Sequence, residues 1–400
     1  MGNLFKSRSC VVHVSIPSTT ENTPTPGTRP SHHLNDEATA FFNPWSSSVL
    51  STTGSLKSNQ LTVASRCKEI GFAAILKFIV QFTSPRIPKN VTELIPMHVP
   101  AWVTPDTDAD KIKATWMGHA CFVLELPAPS GATRGPRVLV DPVLTARCSP
   151  FNYGRPRLAA PCAIEDLPDI DIVLVSHNHY DHMDTITLRK IEQLHHPHYF
   201  STLGNHYYFS DLSIPPGRIH ILDCFKLTCT PAQHHTSRGL FDHSKTLWGG
   251  FVLSSDPDRS DKQFSVYFTG DTGYRYVPDG SNEKDMPVCP IFKELGNKFG
   301  GFDLALLPIG CYMPREYMSS IHASPSDSVQ IFKDVKARRA LAMHWGTWLL
   351  GSCEPVMQPP ELLSQACAEE GIEDGSFTLA DLGRTVAIEC EKRDSLSTGL

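Results

Sequence analysis

An apolar strand that runs straight into a cluster of metal-ligand side chains constrains this chain more than any other feature. Asp171-Ile-Val-Leu-Val-Ser176 is followed directly by His177-Asn178-His179-Tyr180-Asp181-His182, which holds four candidate ligands in six positions. The apolar run reads as a strand, and open α/β sheets gather their functional groups at such strand ends. In an extended loop alternate side chains share a face, so His177 and His179 can reach one ion while Asp181 and His182 turn toward a second. Four protein groups cannot close two sites that also hold water, so further ligands must come from elsewhere. Three later apolar runs end on candidates: His234 in Thr230-Pro-Ala-Gln-His234, Asp271 in Phe268-Thr-Gly-Asp271 and His344 in Leu341-Ala-Met-His344.

From Lys111 onward the chain consists of short β-branched runs separated by Gly, Pro and Asp: KATWMG, CFVLEL, RVLVDP, DIVLVSH, FSVYFTGD, FDLALLPIG and RALAMHWG. These read as strands. Helices are expected from Asp184 to Leu194 and from Ser324 to Asp334, the second capped by Ser324 or Ser326. Strands mixed with helices predict a layered α/β domain over residues 98–392, followed by a tail, 393–400. Upstream, the stretch PSTTENTPTPGTRPSHH is too poor in apolar residues to offset the entropy of ordering, so residues 1–40 are expected to be disordered. Residues 41–97 form an extension that contains KEIGFAAILKFIVQF, from Lys68 to Phe82. This run is interrupted by Lys77 and is shorter than the roughly 20 apolar residues a spanning helix needs. Two readings stay open: a helix packed on the domain, or one lying in a membrane interface with Phe72, Ile75, Phe78, Ile79 and Phe82 inserted.

Composition limits the partners. The formal charge of −6 carries no strong basic block, so nucleic acid is not an expected partner. The first twenty residues show no secretory pattern, which predicts an intracellular protein. Twelve cysteines are scattered without a CxxC pair, which suits a reducing compartment, and no disulfide is assigned. Met1-Gly2-Asn3-Leu4-Phe5-Lys6-Ser7 is close to an acylation signal but has Lys6 where Ser or Thr belongs. The acid-free, Ser-containing start, with Lys6 and Arg8, also leaves a mitochondrial transit peptide open.

The order HxHxDH, lone His, GD, final His resembles the metallo-β-lactamase superfamily. Within it, Trp116-Met-Gly-His119-Ala, Val140-Asp-Pro142, Ser176-His-Asn-His-Tyr-Asp-His182, Gly270-Asp-Thr-Gly-Tyr274, Pro308-Ile-Gly310, His344-Trp-Gly-Thr347 and Asn43-Pro44-Trp45 are similar to the N-acylphosphatidylethanolamine-hydrolysing phospholipase D family. The resemblance implies a four-layer αββα sandwich and two Zn2+ per chain. One zinc would be held by His177, His179 and His234, the other by Asp181, His182 and His344, with Asp271 bridging them. Asp181, Asp271 and His322 are the implied catalytic groups, His322 standing at the rim to orient a phosphate or assist proton transfer. Ser324 departs from the family pattern, which has an Asp there. The implied reaction is hydrolysis of N-acylphosphatidylethanolamine to N-acylethanolamine and phosphatidic acid at a membrane surface by a peripheral enzyme. A homodimer is left open. The rival readings are a hydrolase of the same fold acting on a lactone, soluble phosphate ester or secondary metabolite, and a scaffold that binds metal without turnover. Of the other histidines, His119 is expected to be a hydrogen-bonded core residue inside a strand. His235 and His243 are expected near the substrate entrance, and His195, His196 and His198 on a surface turn. Asp141 is expected to orient a ligand histidine.

Overall fold

The computed structural model describes residues 31–48, 88–102, 108–128, 132–149, 155–156, 158–222, 227–239, 242–255, 263–349 and 353–390. In chain order the strands are β1 (Ile112–Gly118), β2 (Cys121–Glu125), β3 (Arg137–Val140), β4 (Arg155–Pro156), β5 (Ile172–Val175), β6 (His198–Thr202), β7 (Ile219–Leu222), β8 (Thr228–Thr230), β9 (Gly250–Ser254), β10 (Ser265–Phe268), β11 (Phe302–Pro308), β12 (Ala337–Met343), β13 (Trp348–Leu349), β14 (Phe377–Thr378) and β15 (Thr385–Ile388). The longer helices are α1 (Thr185–His195), α2 (Ile291–Phe299), α3 (Pro325–Asp334) and α4 (Gln358–Glu369).

Two mixed sheets face each other. One has the order β15-β1-β2-β3-β5-β6-β7 and the other β14-β12-β11-β10-β9-β8, while β13 and β4 form a separate pair. The period of two along each strand explains the layers. In β2, Phe122 and Leu124 enter the core shared with the second sheet, while Cys121 and Val123 turn outward. In β5, Ile172 and Leu174 go inward, while Val173 and Val175 meet Leu188 and Ile191 of α1 on the outside. On the far side, Phe292, Val329, Phe332 and Leu363 of α2, α3 and α4 join the core of the second sheet. The result is the expected four-layer αββα sandwich. Leu174 is fully buried, and cutting it back to Ala would cost roughly 2–5 kcal/mol through lost transfer energy and the cavity left behind.

The expected helices form with their caps. Asp184 accepts the N–H of Ile186 at the start of α1. Ser324 makes a reciprocal capping box with Asp327 at the start of α3. The stretch His195 to His198 is not a surface turn. His195 closes α1, His196 is its left-handed cap, and His198 opens β6, with Nδ1 3.0 Å from Nε2 of His220 on β7. A helix that ends in a left-handed cap leaves room for only Pro197 before the next parallel strand, so a spacer that reads as loop is mostly ordered structure.

Packing extends upstream of residue 98. Val91 and Ile95 are buried in the core between the sheets. His33 and Phe41 pair across an isolated bridge, and Phe41 is buried beside Ala232, Leu247 and Trp248. Residues 31–40, expected to be disordered, therefore include packed positions. Lys68 to Phe82, the first thirty residues and the tail lie outside the described residues. No helix among the described residues is long and apolar enough to cross a membrane.

Candidate metal centre

The site forms where strands of both sheets end. On the first sheet, β3 leads directly into Asp141 and the neighbouring parallel strand β5 into Ser176. Asp141 is fully buried and accepts the Ser176 N–H at 2.8 Å and its hydroxyl at 2.6 Å, which ties the two strand ends together. The second sheet delivers His234 after β8, Asp271 after β10 and His344 after β12. Gly270, at φ +60°, lets the chain turn before Asp271. A Cβ there would lie 2.7 Å from the Gly249 carbonyl oxygen and 2.9 Å from Ser176 Cβ, so the close approach of the sheets requires glycine.

All seven expected ligands meet in one place. His179 Nδ1 lies 2.9 Å from His177 Nε2 and 3.3 Å from His234 Nε2. Asp271 Oδ2 lies 3.0 Å from His344 Nε2, 3.2 Å from His182 Nε2, 3.8 Å from His234 Nε2 and 4.0 Å from His177 Nε2. Asp181 Oδ2 lies 3.4 Å from His182 Nε2 and 3.7 Å from His344 Nε2. His177, His179 and His234 form one group and Asp181, His182, His344 and His119 another, the donor atoms within each lying within 4.8 Å of one another. The outward-facing nitrogens are held in turn. His182 Nδ1 donates to Asp141 at 2.6 Å, His234 Nδ1 to the Ile321 carbonyl at 2.8 Å, and His177 Nδ1 lies 2.9 Å from the Ser176 hydroxyl. Such partners fix ring orientation and tautomer, so the site-facing nitrogens are left to bind.

The electrostatics suit cations. Burial lowers His177 and His234 and takes His179 to about 3, which keeps these rings neutral and able to donate lone pairs. Burial opposes protonation of His182 and His344 as well, but the carboxylates outweigh it, Asp271 foremost, and His344 is raised to about 9. His182 Nε2, His344 Nε2 and Asp271 Oδ1 are buried without a hydrogen-bond partner. Closely spaced donors that are not aligned with one another, among buried carboxylates, fit metal ions by donor chemistry.

Several residues sit differently from the sequence reading. His119 lies in the turn after β1, not inside the strand, and its Nε2 is 2.8 Å from Asp181 Oδ2. Its ring is 3.8 Å from that of His344, centroid to centroid. His322 is buried within the cluster and not at its rim, with Nδ1 3.9 Å from Asp271 Oδ2. Ser324 spends its hydroxyl on the helix cap, and His322 Nδ1 has no hydrogen-bond partner. His235 lies beside His179, at 5.3 Å between ring centroids, and the exposed His243 follows at 5.2 Å from His235.

Two contacts were not anticipated. Asn43 donates to the His234 carbonyl at 2.8 Å and accepts the His234 N–H at 3.2 Å. Arg238 donates to the carbonyls of Asn178 and Met183 at 2.9 and 2.7 Å and stacks over Tyr180 at 4.0 Å, which clamps the histidine loop. The Asn43-Pro44-Trp45 motif was the only signal for the first, and nothing local marked the second.

The Beta-lactamase superfamily domain matches residues 136–345. The chain is 32% identical over 340 residues to N-acyl-phosphatidylethanolamine-hydrolyzing phospholipase D 1 of Caenorhabditis elegans, covering 78% of this chain and 87% of that protein. It is 28% identical over 341 residues to the mitochondrial N-acyl-phosphatidylethanolamine-hydrolyzing phospholipase D of Saccharomyces cerevisiae, covering 75% and 68%. A solved structure of a possible metal-dependent hydrolase from Veillonella parvula shares the fold at TM-score 0.50 and 16% identity, covering 68% of this chain and 98% of that one.

Proposed function

The chain belongs to the metallo-β-lactamase superfamily as a metal-dependent hydrolase, and from this premise we propose that it is a di-zinc phosphodiesterase of phospholipase D type that cleaves N-acylphosphatidylethanolamine to N-acylethanolamine and phosphatidic acid. The observation that carries the reading is the gathering of two donor groups about one carboxylate, Asp271. In this reading His177, His179 and His234 would hold one zinc and Asp181, His182 and His344 the other, with Asp271 available to both groups. Bound zinc supplies Lewis-acid polarisation of the phosphodiester and a water pKa lowered toward neutrality.

The chain's own residues do the rest. Asp141 keeps the proton on His182 Nδ1, so Nε2 stays free to bind. His119, held neutral by burial, places its Nε2–H on Asp181 and fixes that carboxylate. Burial keeps His322 well below the usual histidine range, so at neutral pH it is an uncharged ring. From inside the cluster its ring N–H can hydrogen-bond a phosphate oxygen, or it can relay a proton, releasing one to the departing alkoxide as its other nitrogen takes one from a water. An apolar cleft lined by Phe42, Pro44, Trp45, Ala232, Leu247 and Trp248 lies two residues along the chain from His234 and has the chemistry of a bed for an acyl chain. The substrate partner in this reading is a phospholipid at a membrane surface. The yeast relative, named as mitochondrial, supports a mitochondrial address, and the peripheral membrane address is part of the same proposal. Mass-spectrometric screening of the purified protein against a phospholipid panel tests the reading. Release of N-acylethanolamine with phosphatidic acid is expected, and turnover confined to lactones or soluble phosphate esters would overturn it.

A further inference from the structure

Beside His344 lies a small cavity lined by His119, Cys311, His344, Trp345, Trp348 and Glu354, among others. Three of these residues bring buried polar atoms that lack a partner: His344 Nδ1, Trp345 Nε1 and Glu354 Oε2. Glu354 is only 9% exposed, and its other oxygen accepts the Cys311 N–H at 2.6 Å. Leaving three such groups dry would cost about 1–3 kcal/mol each, and more for the carboxylate. The cavity measures about 20 Å³, against the roughly 10–15 Å³ that one water needs.

The chemistry selects the occupant. If His344 binds metal through Nε2, the atom 3.0 Å from Asp271, then Nδ1 carries the proton and is a donor. Indole Nε1–H is a donor as well, and the carboxylate oxygen is an acceptor. Two N–H donors have no lone pair for a cation, and the carboxylate repels an anion. A water matches all three, accepting from both rings and donating to Glu354.

We propose that Glu354 is a positioning residue of the metal centre, acting on His344 through one buried water in this cavity. The inference rests on His344 being a metal ligand, as in the function proposed above. It extends to His344 the support that Asp141 gives His182 directly.

Glu354→Gln is the discriminating variant. Its single carbonyl oxygen keeps the bond from Cys311 N–H, while the amide NH2 turns to the cavity and removes the acceptor. In chelator competition with zinc as the probe, the variant should bind zinc about 10- to 100-fold more weakly, while the two metal-free proteins melt together. His344→Ala is measured beside it. If His344→Ala keeps its full zinc content, the metal assignment itself fails and the inference falls with it. If His344→Ala loses zinc but Glu354→Gln binds as the wild type does, the role of Glu354 alone is refuted. A metal-free Glu354→Gln protein that has lost as much melting temperature as the loaded one makes Glu354 a structural prop, which also overturns the proposal. A crystal structure of the zinc-loaded wild type should hold one ordered water within hydrogen-bond distance of His344 Nδ1 and Glu354 Oε2. A dry cavity, or direct contact between the two residues, would refute the bridge whatever the variant does.

Discussion

Asn43→Ala tests whether the upstream segment is part of the catalytic unit. The Asn43 side chain makes two hydrogen bonds to the backbone of His234, at 2.8 and 3.2 Å, and His234 has no exposed surface. At a net contribution of about 1 kcal/mol each, their loss is worth about 2 kcal/mol, and more if both backbone groups stay dry. Since 1.4 kcal/mol is a factor of ten, docking of residues 31–48 should weaken about 30-fold. If the segment melts with the domain, the melting temperature should fall by about 4 °C. Limited proteolysis should cut the segment faster, and zinc should be lost sooner on dialysis, because His234 Nε2 faces the cluster. Asn43→Asp should do at least as much damage, since its second oxygen would confront the His234 carbonyl. Unchanged melting and unchanged proteolysis in Asn43→Ala would refute the reasoning and reduce the contact to an incidental one.

Purified protein should carry close to two zinc ions per chain by elemental analysis, and Asp271→Ala should empty at least one site; one ion or none in active wild type excludes the di-zinc centre. His322→Ala should lower turnover while zinc content stays nearly intact, and a large loss of zinc would make His322 a ligand. Converting Phe72, Phe78 and Phe82 to Ser should weaken liposome binding and vesicle activity while hydrolysis of a short-chain soluble analogue survives; unchanged vesicle activity refutes an interfacial role, and a joint fall with melting temperature indicates a packed helix. Burial raises the Glu125 carboxyl, but hydrogen bonds from Lys113 and Arg137 outweigh it and hold it below the ordinary range. The stability gap between wild type and Glu125→Gln should therefore be full above the unfolded value of about 4.3 and close as pH falls below it. A gap that widens as pH falls below that value in denaturant titrations contradicts this.

What the sequence determined by itself was local. The run that became β5 is wholly apolar and those that became β1, β11 and β12 are mostly so, and the caps at Asp184 and Ser324 act within three residues of themselves. The histidine cluster shared that legibility because its spacing is a property of one loop, and the ends of β8, β10 and β12 were recognisable one by one. Strands such as β6 escaped notice, since a partly polar run such as His198–Thr202 gains its strand character only from parallel neighbours on both sides. Tertiary structure alone decided which ends meet. It placed Asn43 on His234 across 191 residues, turned His119 onto Asp181, and drew His322 into the cluster between His234 and His344. No local rule could supply these contacts, because each depends on two segments far apart in the chain being held at a fixed distance by the pairing of strands within a sheet or the packing of one sheet on the other.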